Sequence, residues 1–109
     1  MREIIHFIDG AAVKGTSGRY GDIFNPNTGE VQARVALATV QEMDAAVASA
    51  ARAQQVWALV NPQRRARVMF DFKRLVEANM NELAEMLSSE HDKVIAHSRG
   101  DVQRGLEVI

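Results

Sequence analysis

The chain predicts an α+β fold, and three observations carry that expectation. Composition changes near Thr39: five of the seven glycines precede it among short β-type runs, and beyond it apolar residues recur at helical spacing with few breakers. In "IIHFIDGAAV" an Asp9-Gly10 pair stands between two apolar runs, the strongest short-range hairpin signal, because a type I′ turn needs positive φ at both central residues. Thr39, Asn61 and Asn79 each stand where a helix start needs a side-chain oxygen for its orphan amides. The expected architecture is one domain, with a β-ribbon over residues 1 to 38 and four helices over 39 to 109.

Each element has its own signal. The hairpin predicts strands near Ile5 to Ile8 and Ala11 to Val13. "KGTSGRYGD" reads as a turn-rich loop. "FNPNTGE" reads as a second turn, with Pro26 fixing φ and Gly29 free to take a left-handed conformation. In "VQARVAL", Val31, Ala33, Val35 and Leu37 alternate with Gln32, Arg34 and Ala36, so the first set is expected on a covered face and the second on a wet one. Thr39 and Glu42 have capping-box spacing and open a helix expected to run to about Gln55. Six alanines between Ala45 and Ala53 favour that helix and let another backbone come close, while Met43, Val47 and Trp57 supply bulk.

The second helix starts at Asn61, with Pro62 at the first position where its missing N–H costs nothing, and carries the stripe Val68, Phe72, Leu75 and Val76. The third starts at Asn79, with Glu82 three residues on and Met80, Leu83, Ala84 and Leu87 at i, i+3, i+4 and i+7. A fourth is expected from Lys93 onward, with Val102, Leu106 and Ile109 as an open apolar stripe. It holds Gly100 and Gly105, each costing roughly 1 kcal/mol against alanine, so close packing against another backbone is expected to compensate.

Composition narrows the function classes. With 47% apolar and 25% charged residues the chain is globular rather than disordered, and a net charge of −1 supplies no basic excess to draw nucleic acid or an anionic membrane. No apolar run is long enough for a signal peptide or a bilayer span, so the expected location is the cytoplasm. There is no cysteine, hence no disulfide, thiolate metal site or cysteine nucleophile within these residues. His6, His91 and His97 lack metal-site spacing. Arg64, Arg65 and Arg67, with Arg74 further along, read as a solvated helix face pairing with acidic neighbours. No phosphate-binding glycine fingerprint and no serine-nucleophile motif occurs. One constellation invites attention: His97, Asp101 and Arg104 share a helical face at i, i+4 and i+7. From spacing alone an ion pair between Asp101 and Arg104 at the surface is the better account.

The order of the motifs carries a resemblance. "FIDGAAV", "FNPNTGEV", an alanine-rich helix ending in Trp57, "RRARVMFDFKRLVEANMNELAEMLSSEHDK" and "GDVQRGLEVI" together resemble the start of an aldehyde dehydrogenase. "LSSEH" followed by Lys93, and "GDVQRGLEV", are similar to the methylmalonate-semialdehyde dehydrogenase branch of that superfamily. The resemblance covers nearly the whole chain. It implies an NAD-dependent, coenzyme A-acylating enzyme that turns malonate or methylmalonate semialdehyde into acetyl-CoA or propionyl-CoA with loss of carbon dioxide. The family's covalent mechanism uses a cysteine, which suits both attack on an aldehyde and acyl transfer. That cysteine, the glutamate base, the oxyanion-hole asparagine and the coenzyme-binding lysine all lie downstream in the family. These 109 residues then correspond to the peripheral first part of the coenzyme-binding domain of an α/β Rossmann-like fold, cut within a helix, binding neither NAD nor metal themselves and inactive alone.

The same resemblance assigns Arg104. In this branch an arginine in the "V-Q-R-G" segment faces the substrate entrance, and a guanidinium can hold a carboxylate with two parallel charge-assisted hydrogen bonds. Gly105 beside it is then expected to let the helix lie close to the tunnel wall. Family precedent implies a homodimer or homotetramer, so the expected partners are the rest of the polypeptide, other copies of it and a small semialdehyde, with no nucleic acid and no membrane. Two positions depart from the pattern: Asp92 stands where a helix-ending glycine is common, and His97 where an acidic residue is common. The competing expectation is a non-catalytic helical interaction or scaffold module.

Overall fold

A computed structural model describes all residues from 1 to 109. Five strands precede four helices in the order β1 (Arg2–Ile4), β2 (His6–Ile8), β3 (Ala11–Val13), β4 (Tyr20–Phe24), β5 (Val31–Ala36), α1 (Val40–Trp57), α2 (Pro62–Ala78), α3 (Met80–His91) and α4 (Ile95–Val108). The α+β class and the four helices are as expected. The chain divides into two compact units, Met1–Phe24 with Glu30–Leu59, and Asn25–Gly29 with Val60–Ile109.

The first unit holds both sheets. At the Asp9-Gly10 turn both residues have positive φ, 54° and 72°, and His6↔Val13 and Ile8↔Ala11 pair across the hairpin. The single ribbon expected over residues 1 to 38 is instead two sheets, because the first apolar run serves both. Residues 2 to 4 pair in parallel with β5, and after Ile5 the chain pairs residues 6 to 8 with β3. β5 is the centre of the larger sheet, with order β1-β5-β4.

Strand β4 corrects the loop expected at "KGTSGRYGD". Gly21 and Asp22 are poor strand formers, but β5 offers them backbone partners at Val35 and Arg34, and non-local pairing outweighs a weak local preference. The wet face of β5 is corrected too. Arg34 is exposed, lying 4.3 Å from the Tyr20 ring centroid and 3.5 Å from the Glu3 carboxylate. Ala36, expected beside it in solvent, is buried, and a side chain built at Gly15 would stand 3.3 Å from its Cβ. The same added carbon would stand 3.1 Å from His6 Nε2, so Gly15 is a close approach at which any larger residue would push its neighbours back by a few tenths of an ångström.

The capping box at α1 forms as expected, with Thr39 Oγ1 accepting from Glu42 N at 3.1 Å and Glu42 Oε2 accepting from Thr39 N at 2.8 Å. Glu42 does more than cap. Its other oxygen accepts from the backbone N–H of Thr16 at 2.7 Å and from the Thr16 hydroxyl at 3.0 Å, tying the preceding loop to the helix start. Arg19 adds a bond from its guanidinium to Ala38 O at 2.9 Å. Three backbone amides or hydroxyls on one carboxylate favour its charged form, holding the Glu42 pKa down at about 2. α1 runs two residues beyond the expected end, to Trp57.

In the second unit the Asn25–Gly29 turn closes with Gly29 N donating to Asn25 O at 2.8 Å and Gly29 at φ 73°, as Pro26 and Gly29 led one to expect. Asn61 caps α2 by accepting from Gln63 N at 2.8 Å, with Pro62 at the first position. The stripe of α2 is uncovered: Val68, Phe72 and Leu75 are each about half exposed. Asn79 ends α2 and begins α3 in one residue. Its side chain donates to Leu75 O at 2.8 Å and so looks backward, leaving α3 without the expected side-chain cap.

α3 is amphipathic as expected, with Ala84 fully buried and Met80, Leu83 and Leu87 half-buried. It ends at Asp92 in a left-handed conformation, φ 60° and ψ 26°, the geometry that glycine suits and aspartate adopts at a cost. α4 begins at Ile95, two residues later than expected, and packs against α3 and α2. Ser98 is fully buried, and its hydroxyl meets that of Ser88 at 2.8 Å, joining α3 to α4. The stripe expected to be open on α4 is closed: Leu106 is only 2% exposed, with Val102 and Ile109 half-buried beside it. Within this chain Gly100 and Gly105 have no close neighbour, since a side chain at either position would meet nothing within 4 Å. No helix is long and apolar enough to cross a membrane.

Candidate functional site

α4 carries the sequence-derived candidate, Arg104, in its third turn. Two of the three residues expected on one face come together. The Arg104 guanidinium bonds Asp101 Oδ1 as an i, i+3 pair, whereas His97, one turn earlier, is exposed and bonds to neither. Spacing alone thus anticipated the contact that Arg104 makes within this chain.

Spacing could not anticipate Lys93. Its ammonium bonds the other carboxylate oxygen of Asp101, Oδ2, across eight residues. The left-handed turn at Asp92 ends α3, and Lys93 stands just before the extended Val94 that opens α4, from where its side chain reaches Asp101 within that helix. Asp101 therefore sits between two cations, one on each oxygen. Its side chain is 25% exposed, that of Lys93 34% and that of Arg104 72%. The Lys93 ammonium, and after it the Arg104 guanidinium, hold the Asp101 carboxyl below its usual range against the opposing effect of partial burial. Chemically this is a shared carboxylate whose first cation is anchored close to the backbone turn and whose second stands mostly in solvent. A single carboxylate divided between two cations binds each less tightly than it would bind one alone.

The remaining candidates resolve into structural roles. Arg74 pairs with Asp71 at 3.8 Å, and Arg64 and Arg67 are exposed, as a solvated face requires. Arg65 departs from that expectation: it is half-buried and its Nε is shielded from water without a hydrogen-bond partner. His6 lies against Gly15 with its Nε2 likewise unpaired. No three histidine, aspartate or glutamate side chains converge as metal ligands. The hairpin β2–β3 and the alanine face of α1 border shallow clefts of about 200 to 270 Å³, lined by Phe7, Ile8, Val13, Ala46 and Ala50.

These residues do not fit a dinucleotide. A pyrophosphate is held by amides of a glycine-rich turn that opens a helix. The left-handed glycines here, Gly10, Gly18 and Gly29, lie in a hairpin and in loops that lead into strands.

Similarity to known proteins is strong along the whole chain and bounded in what it covers. The chain is 39% identical over 107 residues to a malonate-semialdehyde dehydrogenase of Listeria monocytogenes, covering 98% of this chain and 22% of the Listeria protein. It is 42% identical over 103 residues to the human mitochondrial methylmalonate-semialdehyde/malonate-semialdehyde dehydrogenase [acylating], covering 94% of this chain and 19% of that one. Among solved structures, a Sinorhizobium meliloti 1021 protein described as a methylmalonate-semialdehyde dehydrogenase, complexed with NAD, superposes with a TM-score of 0.95 at 61% identity, covering 99% of this chain and 22% of the other. The methylmalonate-semialdehyde dehydrogenase of Oceanimonas doudoroffii superposes with a TM-score of 0.93 at 36% identity, over 98% and 22% of the two chains. The chain thus spans about a fifth of the length of these relatives. Residues 12–109, from the second strand of the hairpin through α4, match the aldehyde dehydrogenase family model, and the chain belongs to the aldehyde dehydrogenase family.

Proposed function

We propose that this chain is the N-terminal segment of an NAD-dependent, coenzyme A-acylating methylmalonate- or malonate-semialdehyde dehydrogenase. The observation that carries the proposal is the 61% identity, over 99% of this chain, to a protein described as a methylmalonate-semialdehyde dehydrogenase and solved with NAD. Within that enzyme the segment supplies scaffold at the edge of the coenzyme-binding domain, in the form of two small sheets and four helices. The nucleophile belongs to residues outside it, since the 109 residues contain no cysteine. The active assembly is a homo-oligomer and the compartment is the cytoplasm. The human relative is named as mitochondrial, so fractionation of the cell that makes this protein tests the compartment.

Arg104 is the residue by which this segment reaches the substrate. Malonate semialdehyde carries a carboxylate as well as an aldehyde, and a guanidinium that stands largely in solvent and shares its carboxylate partner with Lys93 is free to take up a second one. The test is Arg104→Leu in the polypeptide that extends through the nucleophile, assayed by NADH formation with coenzyme A. The expected loss of kcat/KM is about thirty- to a thousandfold for malonate semialdehyde, and far smaller for propanal. Equal loss with both substrates, or none with either, refutes the assignment. The 109-residue chain alone is expected to oxidise no aldehyde, and turnover by it overturns the proposed segment role.

A further inference from the structure

We propose that Lys93 is a positioning residue that sets how available Arg104 is to a carboxylate-bearing substrate, by occupying one oxygen of Asp101 and so weakening the hold of Asp101 on Arg104. The proposal rests on the assignment of Arg104 to the substrate carboxylate and adds a device that spacing did not suggest. Its basis is the geometry around Asp101. One oxygen is bound by Lys93, whose backbone is fixed by the left-handed turn at Asp92, and the other by Arg104. Lys93 is the better anchored of the two cations: its side chain is about two-thirds buried, whereas Arg104 is 72% exposed and can leave its partner with little else to disrupt.

Competition follows from charge. A lone aspartate three residues before an arginine offers it a full negative charge and holds the guanidinium along the helix surface. An aspartate already neutralised by an ammonium offers less, so an incoming substrate carboxylate competes on better terms. The same arrangement keeps Arg104 from being an unpaired cation when no substrate is present. Lys93 therefore acts on the substrate only through Asp101 and Arg104, and its effect is confined to aldehydes that carry a negative charge.

The experiment uses the complete polypeptide and three variants: Lys93→Met, Lys93→Met with Asp101→Asn, and Arg104→Leu. Lys93→Met is expected to raise KM for malonate semialdehyde on the order of tenfold with kcat little changed, and to leave propanal kinetics unaltered. Adding Asp101→Asn removes the competing carboxylate and is expected to restore KM, a rescue that loss of a merely structural bridge does not predict. If Arg104→Leu changes the charged substrate selectively but Lys93→Met does not, or if the double variant is worse than the single, the Lys93 proposal falls and the Arg104 assignment stands. If Arg104→Leu has no selective effect, both fall. A second measurement needs no turnover: carbon NMR titration of Asp101 in the complete polypeptide is expected to show its pKa moved upward in Lys93→Met. An unchanged Asp101 shows that Lys93 does not bind it and overturns the proposal.

Discussion

Leu106→Ala tests the packing of the helical unit. Leu106 is 2% exposed, the largest fully buried side chain of the protein, and the other fully buried residues of its unit, Ala84 and Ser98, are small. Truncation removes three carbons, worth about 2.4 kcal/mol at roughly 0.8 kcal/mol per buried methylene. A residual cavity adds to that, but Val102 and Ile109 are only half-buried and can move into part of the space. The expected cost is then about 2–3.5 kcal/mol, in the lower part of the range for buried leucines. In a chain whose buried apolar residues are Ala33, Ala36, Ala84 and Leu106, that is a large share of the total. Urea unfolding followed by circular dichroism measures it, with Val108→Ala as the control. Val108 is on the same helix and 88% exposed, so its truncation is expected to stay within about 0.5 kcal/mol. If the two variants unfold alike, Leu106 does not hold α4 to the rest of its unit, and the closure of the stripe is refuted.

Three further outcomes are expected. Asp92→Gly relieves an aspartate held at φ 60° and should stabilise the chain by about 1 kcal/mol, read as a higher urea midpoint; a loss of stability would mean that the aspartate side chain has a role at the helix end. The Glu42 carboxylate has its pKa lowered in the folded state from 4.5 to about 2, so the stability it contributes is complete above about 4.5 and is lost as pH falls toward 2. The protection of the Thr16 and Thr39 amides against hydrogen exchange, taken relative to the intrinsic rate at each pH, should fall across that window, and Glu42→Gln should remove that fall. The isolated chain should self-associate or bind an apolar dye at micromolar concentration, through the exposed Val68, Phe70, Phe72 and Leu75 of α2; a dye-silent monomer in ultracentrifugation would contradict this.

The sequence by itself determined what depends on near neighbours. The Asp9-Gly10 turn, the Thr39–Glu42 capping box, Asn61-Pro62 at the start of α2 and the Asp101–Arg104 pair are all written within four residues, and each formed as its local chemistry requires. Family membership was legible in the same way, as an order of short motifs. Tertiary structure decided whatever needed a distant partner. β4 exists because β5 lends backbone bonds to Gly21 and Asp22; Ala36 is buried because the chain returns to it at Gly15; and the stripe of α4 is covered because α4 folds back on α3. Lys93 belongs to this second group. Nothing in the composition of residues 93 to 101 announces that a lysine before the helix will reach an aspartate in it, since the contact depends on how the chain passes from α3 into α4. Periodicity reports which residues share a face, but what covers that face is set by segments whose approach only the folded chain determines.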